Sequence, residues 1–158
     1  MDHHPHVHTY IRTRRPRRLA IASAIAIVGA ITLSACLSTG QTQDQSLINS
    51  ARKANRVPSV AANQAAMDKA QAWSAHMART GVLEHTGGGT KVNPKPLTGW
   101  CSYGENVGYG ANVTAVHNAF LASAPHKANM LGKFNLVGTG VAQKGRYVWV
   151  TEIYLRSC

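Results

Sequence analysis

An α+β domain, with helices packed on a small antiparallel sheet, follows from three features of the chain. Ala66, Ala70, Trp73 and Met77 recur at steps of four, three and four, the period of a helix with one apolar side. The C-terminal stretch alternates instead, with Tyr147, Trp149, Thr151 and Ile153 on one face and Val148, Val150, Glu152 and Tyr154 on the other. Both of those faces carry bulky apolar groups, so the strand is covered on both sides. Helices come first and an antiparallel meander last, and nothing repeats internally.

The first third of the 158 residues reads as a processing segment rather than part of the domain. Met1 to Arg18 is polar and basic, and Leu19 to Leu37 runs without a charge. Basic, then apolar, then small is the order of an export signal, placed at 1–35. The run ends Leu-Ser-Ala-Cys, which resembles the lipobox of bacterial lipoproteins and makes Cys36 the lipidated first residue of the mature chain. That implies a protein outside the cytoplasm, anchored to the bacterial cell membrane. Two rivals stand beside it: an ordinary secretory signal cut nearby, and a retained membrane helix, since nineteen uncharged residues just span a bilayer. His3, His4, His6 and His8 form a metal-binding composition, but in the discarded segment.

Five of the 17 basic residues and one of the six acids precede Cys36, leaving 12 against 5, a balance of about +7. The remaining basic residues are scattered, and no arginine-rich helix or zinc finger appears, so nucleic acid is not an expected partner.

Residues 36–45 read as a flexible tether of Ser, Thr, Gln and Gly, and the domain proper as 46–158. Asp44 or Ser46 caps a first helix over 46–56, striped by Leu47, Ile48 and Ala51 and ended by Pro58. The second helix covers 62–80, with Gly81 as its stop and His76 as a structural histidine. Thr86 to Pro96, with three glycines and two prolines, is a loop. Trp100 to Tyr109 is a turn and a short extended piece. A third helix starts at Val113 or Thr114, with Thr114 as cap and Val116, Ala119 and Phe120 as its apolar side. Ser123 and Pro125 close it, and His126 to Leu131 forms one more turn of helix. Leu136 to Ala142 and Arg146 to Leu155 are strands joined at Lys144-Gly145.

With Cys36 lipidated, Cys101 and Cys158 form an even pair in an oxidising compartment, and a disulfide between them ties the last residue back beside Gly104. Two free thiols are the alternative. A metal site on these cysteines lacks further ligands nearby.

The polar candidates gather around Gly104-Glu105-Asn106. Glu105 is one of six acids in a basic chain, and His85 and His126 lie in loop-like settings far away on either side. The expectation is that the fold joins the three in one cleft. Asn106 beside glycine suits a bond to turn backbone. Ser123 precedes His126 by three residues and Ser102 is near Glu105, but no nucleophile elbow accompanies either, and Ser123 also reads as a helix-end cap.

The ordered pieces LINSAR at 47–52, AQAWSAHMARTG at 70–81, LEHT at 83–86, GENVGYG at 104–110, FLASAPHKANML at 120–131, LVGTGVA at 136–142 and YVWVTEIY at 147–154 resemble the CAP superfamily, also called SCP or PR-1-like proteins, in its short bacterial form. The resemblance covers about residues 44–158. It implies a three-layer α–β–α sandwich with a small antiparallel sheet and a large cleft. Many members keep two His and two Glu in that cleft. The motifs carry over to His85, Glu105 and His126, while the place of the second Glu holds Ser123, so three of four are present. Glu152 supplies the missing carboxylate if its strand face points inward.

Two imidazoles and a carboxylate form a set for a weakly bound divalent metal such as zinc, held by His85 and His126, although HExxH and CxxC are both absent. No other cofactor is expected. Alternatively, Glu105 is a structural carboxylate held by hydrogen bonds. The family includes binders of sterols, fatty acids and other lipids, extracellular effectors and proposed proteases. The resemblance implies three alternative functions. The first is binding of a lipid or envelope ligand in a cleft of His85, Glu105, Asn106, Ser123, His126 and Glu152. The second is an interaction module of the envelope, and the third a hydrolase using His85, Glu105, His126 and Ser123. Tyr103, Tyr109, Phe120, Trp149 and Tyr154 line an apolar groove beside the cleft or fill the core.

Overall fold

The computed structural model describes residues 38–158. The export signal, the retained span and lipidation at Cys36 fall outside those residues. Four helices and four strands follow in the order α1 Thr39–Ala54, β1 Ala61–Ala62, α2 Gln64–Thr80, β2 Trp100–Gly110, α3 Val113–Ala122, α4 Ala124–Met130, β3 Leu136–Lys144 and β4 Tyr147–Ser157. None of these helices is long and apolar enough to cross a membrane.

The α+β class is as expected, with two corrections of detail. The sheet is mixed: its order is β1-β3-β4-β2, and the two residues of β1 pair parallel to β3 while the other pairs are antiparallel. The segment read as a tether is helical from Thr39 onward. Ser38 starts α1 with a capping box, its Oγ accepting from Gln41 N at 3.2 Å and its N–H donating to Gln41 Oε1 at 2.9 Å. Asp44 is therefore interior to the helix and buried, not a cap. Likewise Asn112, rather than Thr114, caps α3, accepting from Ala115 N at 2.8 Å.

The register of β4 decides the layers. Val150, Glu152 and Tyr154 point to the side of α1, α3 and α4, where Ile48, Val116, Phe120, Met130 and Val137 complete one core. Trp149, Thr151 and Ile153 point to α2, against Ala66, Ala70, Met77 and Val107. Of the two readings of the aromatic residues, groove lining or core, the core one holds for three of them. Phe120 and Tyr154 belong to the first core and Trp149 to the second, while Tyr109 is exposed and stacks on Trp149 at 4.7 Å.

Beyond its two bonds with β1, the edge of β3 has no strand partner among the described residues, and side chains cap it. Gln41 Nε2 donates to Thr139 O at 2.8 Å, and Gln71 both donates to Val141 O and accepts from Val141 N at 3.0 Å.

Cys101 and Cys158 are bonded, with their Cα atoms 5.0 Å apart across a separation of 57 residues. Cross-linking a loop of that length restricts the unfolded chain by about 4 kcal/mol. The Cys101→Ser, Cys158→Ser double variant is accordingly expected to lose about that much in guanidinium unfolding, and dithiothreitol should then leave it unaffected. Equal midpoints for the wild type with and without reductant would show that the bond contributes nothing.

Candidate functional site

Glu105 lies on β2, opposite Ile153 of β4, and so faces the α2 side of the sheet. Its carboxylate is buried yet fully partnered. Oε1 accepts from Thr86 N and His85 Nδ1, both at 2.9 Å, and Oε2 accepts from Thr86 Oγ1 at 2.7 Å and from the Tyr103 hydroxyl at 2.5 Å. Four donors stand in for water, which lets a carboxylate sit this deep. Burial, then the neighbouring charge of Glu105, pushes the Tyr103 hydroxyl pKa well up, so Tyr103 stays a donor. The loop holds its own shape through Thr86, whose Oγ1 accepts from Asn93 N at 2.8 Å.

Facing a carboxylate, His85 Nδ1 is the donor, and Nε2 is the atom left for a ligand. His126, in the first turn of α4, has its Nδ1 2.9 Å from Ser123 Oγ. Burial, and then the nearby charge of His85, lowers the His126 pKa. Ser123 sits at the junction of α3 and α4, but its side chain caps neither helix; it is engaged with His126.

The fold thus brings His85 and Glu105 into direct contact and places His126 within electrostatic reach of His85. Two other predicted members lie elsewhere. Asn106 is fully buried and does not serve a turn: its Nδ2 donates to His126 O at 3.1 Å and Glu152 Oε2 at 2.8 Å, and its Oδ1 accepts from Asn129 Nδ2 at 2.8 Å. It is a strut between the sheet and α4. Glu152 does not replace the missing cleft carboxylate. Its partner across the strands is Asn106, so it faces away from Glu105 into the α1–α3 side, with no exposed surface. Burial raises its pKa to about 7 against the hydrogen bonds from Tyr154, Asn106 and a protonated Asp44.

For a cation at the cleft, the Nδ1 atoms are committed and Glu105 is occupied by its donors. Two imidazole Nε2 atoms remain, fewer than the three protein ligands of a catalytic zinc.

A groove of about 610 Å³ runs along the outer side of α2, on the Glu105 side of the sheet, lined by Ala65, Lys69, Ala72, Trp73, His76 and Arg79 among others. Sequence reasoning assigned this face no site, taking His76 as structural and Trp73 as part of the apolar side. Trp73 forms the wall: its indole stacks on His76 at 4.6 Å and its Nε1 donates to Glu84 O at 2.8 Å. Lys69 is half-buried and donates to Lys95 O at 2.8 Å; burial lowers its pKa, while the charge of Glu105 opposes that shift.

The helices on both faces of a small sheet, with the loop histidine His85 bonded to Glu105 of its edge strand, define a CAP-type domain. The sequence model of the cysteine-rich secretory protein family (CAP) matches residues 45–154, and the chain belongs to that family. No curated protein matches it. Among solved structures, the chain is similar to an outer surface protein from Borrelia burgdorferi, with 17% identity, TM-score 0.64, and coverage of 73% of this chain and 94% of that one. An extracellular protein containing a SCP domain from Bacillus anthracis is similar at 25% identity and TM-score 0.62, over 75% of this chain and 40% of that one. Venom allergen-like protein 4 from Schistosoma mansoni is similar at 13% identity and TM-score 0.58, over 77% and 91%.

Proposed function

We propose that the chain is an exported binding module of the bacterial envelope, tethered by lipidated Cys36, that takes an anionic amphiphile such as a fatty acid in the groove along α2. The groove carries the proposal. Its lining is mostly apolar, from Ala65, Ala72, Trp73 and Pro96, and the two cations Lys69 and Arg79 outnumber the one acid, Asp68, in facing a carboxylate or phosphate headgroup. The basic-then-apolar N-terminus supports export, as do the extracellular and outer-surface relatives. The His85–Glu105 pair then fixes the loop at one end of α2 rather than forming the ligand cleft itself.

Titrating the protein with a fluorescent long-chain fatty acid tests this. The Lys69→Ala, Arg79→Ala double variant is expected to bind about tenfold more weakly, a change of about 1.4 kcal/mol, and salt should weaken the wild type in the same direction. Binding unchanged by those variants, or absent from the wild type, removes the lipid reading and leaves the interaction module of the envelope. A second enzymatic reading rests on the 2.9 Å contact of Ser123 and His126. Covalent capture of Ser123 by a serine-directed phosphonate in the same protein would favour it over binding.

A further inference from the structure

We propose that Asp44, His117 and Glu152 hold one divalent first-row cation between α1, α3 and β4. The three side chains come from three elements, and they are 0%, 4% and 0% exposed. Each offers a ligand atom, and those atoms lie within 4.8 Å of one another. Metal–ligand bonds of about 2.0–2.6 Å put ligands on opposite sides of an ion about 4–5 Å apart, so the spacing fits a shared centre.

Five buried side-chain nitrogen and oxygen atoms lack a hydrogen-bond partner among the described residues. Four of them meet here: Asp44 Oδ1 and Oδ2, His117 Nδ1 and Glu152 Oε1. Buried polar atoms in folded proteins are nearly always paired; a proton held between Asp44 and Glu152 pairs one oxygen of each, and still leaves the other Asp44 oxygen and His117 Nδ1 without a partner. His117 Nδ1 bonds to neither carboxylate, although all three groups converge. One atom from each residue makes three ligands, and the second Asp44 oxygen or a water would supply the fourth of a four-coordinate site.

The surroundings suit an ion of charge two. Two carboxylates are buried here, and the guanidinium of Arg52 is committed to backbone carbonyls elsewhere. The second oxygen of Glu152 is held by the Tyr154 hydroxyl at 2.7 Å and Asn106 Nδ2 at 2.8 Å, which aims Oε1 inward. A nitrogen with carboxylate oxygens and no sulfur suits zinc or manganese. With no exposed ligand, the ion is structural: it cross-links the first helix to the third and to the central strand. This site is separate from the His85–Glu105 pair and from the α2 groove, and neither reading depends on the other.

The full-length protein, unfolded in urea with a chelator and refolded with Zn²⁺, Mn²⁺ or neither, provides the test. Bound metal per chain and Tm are read after dialysis. One equivalent is expected to be lost in His117→Gln and in Asp44→Asn, together with a metal-dependent rise in wild-type Tm of several degrees. Metal held by His3, His4, His6 and His8, or by His85 and His126, survives those two substitutions and is subtracted by them. The rival arrangement is a proton shared by Asp44 and Glu152. It predicts no metal-dependent Tm in the wild type and full metal-free stability in Asp44→Asn, since an amide donates where the proton did. A wild type whose Tm ignores both metals overturns the proposal whether or not the variants fold.

Discussion

Replacing Gly140 with alanine is expected to cost the fold about 3 kcal/mol or more, a large part of the roughly 5–15 kcal/mol that holds a domain together. The reason is the seat of α2 on β3. A Cβ at Gly140 would overlap the backbone carbonyl of Ala70, and one at Gly138 would overlap that of Ala66. The two spacings match: four helical residues advance about 6 Å and two strand residues about 6.8 Å, so two helix positions rest on two strand positions. Ala66 and Ala70 are fully buried in that contact, and Ser74 Oγ follows it, bonding to Gly140 O and Thr151 Oγ1 at 2.9 Å each. Backbone cannot move aside as a side-chain tip can, so α2 must lift, and Met77 and Ile153 lose their packing with it. Gly145→Ala is the control. Gly145 has φ +58° with nothing within 4 Å of an added Cβ, so only the left-handed backbone penalty of about 1–2 kcal/mol applies. Urea unfolding should rank Gly140→Ala well below Gly145→Ala, with Gly138→Ala beside Gly140→Ala. Equal midpoints for Gly140→Ala and Gly145→Ala would refute the direct backbone seat.

What was legible in the sequence follows from how local its cause is. α2 and β4 are written in period: Ala66, Ala70 and Met77 on one helix face, and the alternation of 147–154 on two strand faces. α1 hid its first two turns because its inward residues there are polar. Gln41 and Asp44 are buried, and the partners that make this tolerable, Thr139 for the first, are about a hundred residues away. The parallel β1 has only Ala61 and Ala62, and its existence depends on Leu136 and Val137. At the site, no spacing predicted that His85 would meet Glu105; the motif resemblance did. The alternation in β4 did separate Glu152 from Ile153, but which face meets which helices is a property of the register with β2 and β3. His117 carries a local signal of its own. It lies with Val113, Val116 and Phe120 on the buried stripe of α3, a position where a histidine needs a partner.

Arg52→Met is expected to lower stability by about 3–5 kcal/mol despite its similar volume and greater hydrophobicity. Arg52 is 1% exposed and meets no carboxylate among the described residues. Its guanidinium serves four backbone carbonyls: Nε donates to Pro58 O at 2.7 Å, Nη1 to Met130 O at 2.7 Å and Gly132 O at 3.1 Å, and Nη2 to Phe134 O at 3.0 Å. Those carbonyls belong to the turn after α1, the end of α4 and the approach to β3, segments with no ladder of their own to bond to. One planar fork therefore fastens three chain reversals to the first helix. Each stranded buried acceptor costs about 1–3 kcal/mol, relieved where water enters, so the total stays below the simple sum. Lysine keeps the charge but concentrates its donors at one atom, which cannot span from Pro58 to Phe134, and Arg52→Lys should recover less than half of the loss. Urea unfolding of the three proteins measures both numbers. A methionine variant within about 1 kcal/mol of the wild type would mean that the carbonyls find other donors once the guanidinium is gone, and that the three reversals hold themselves.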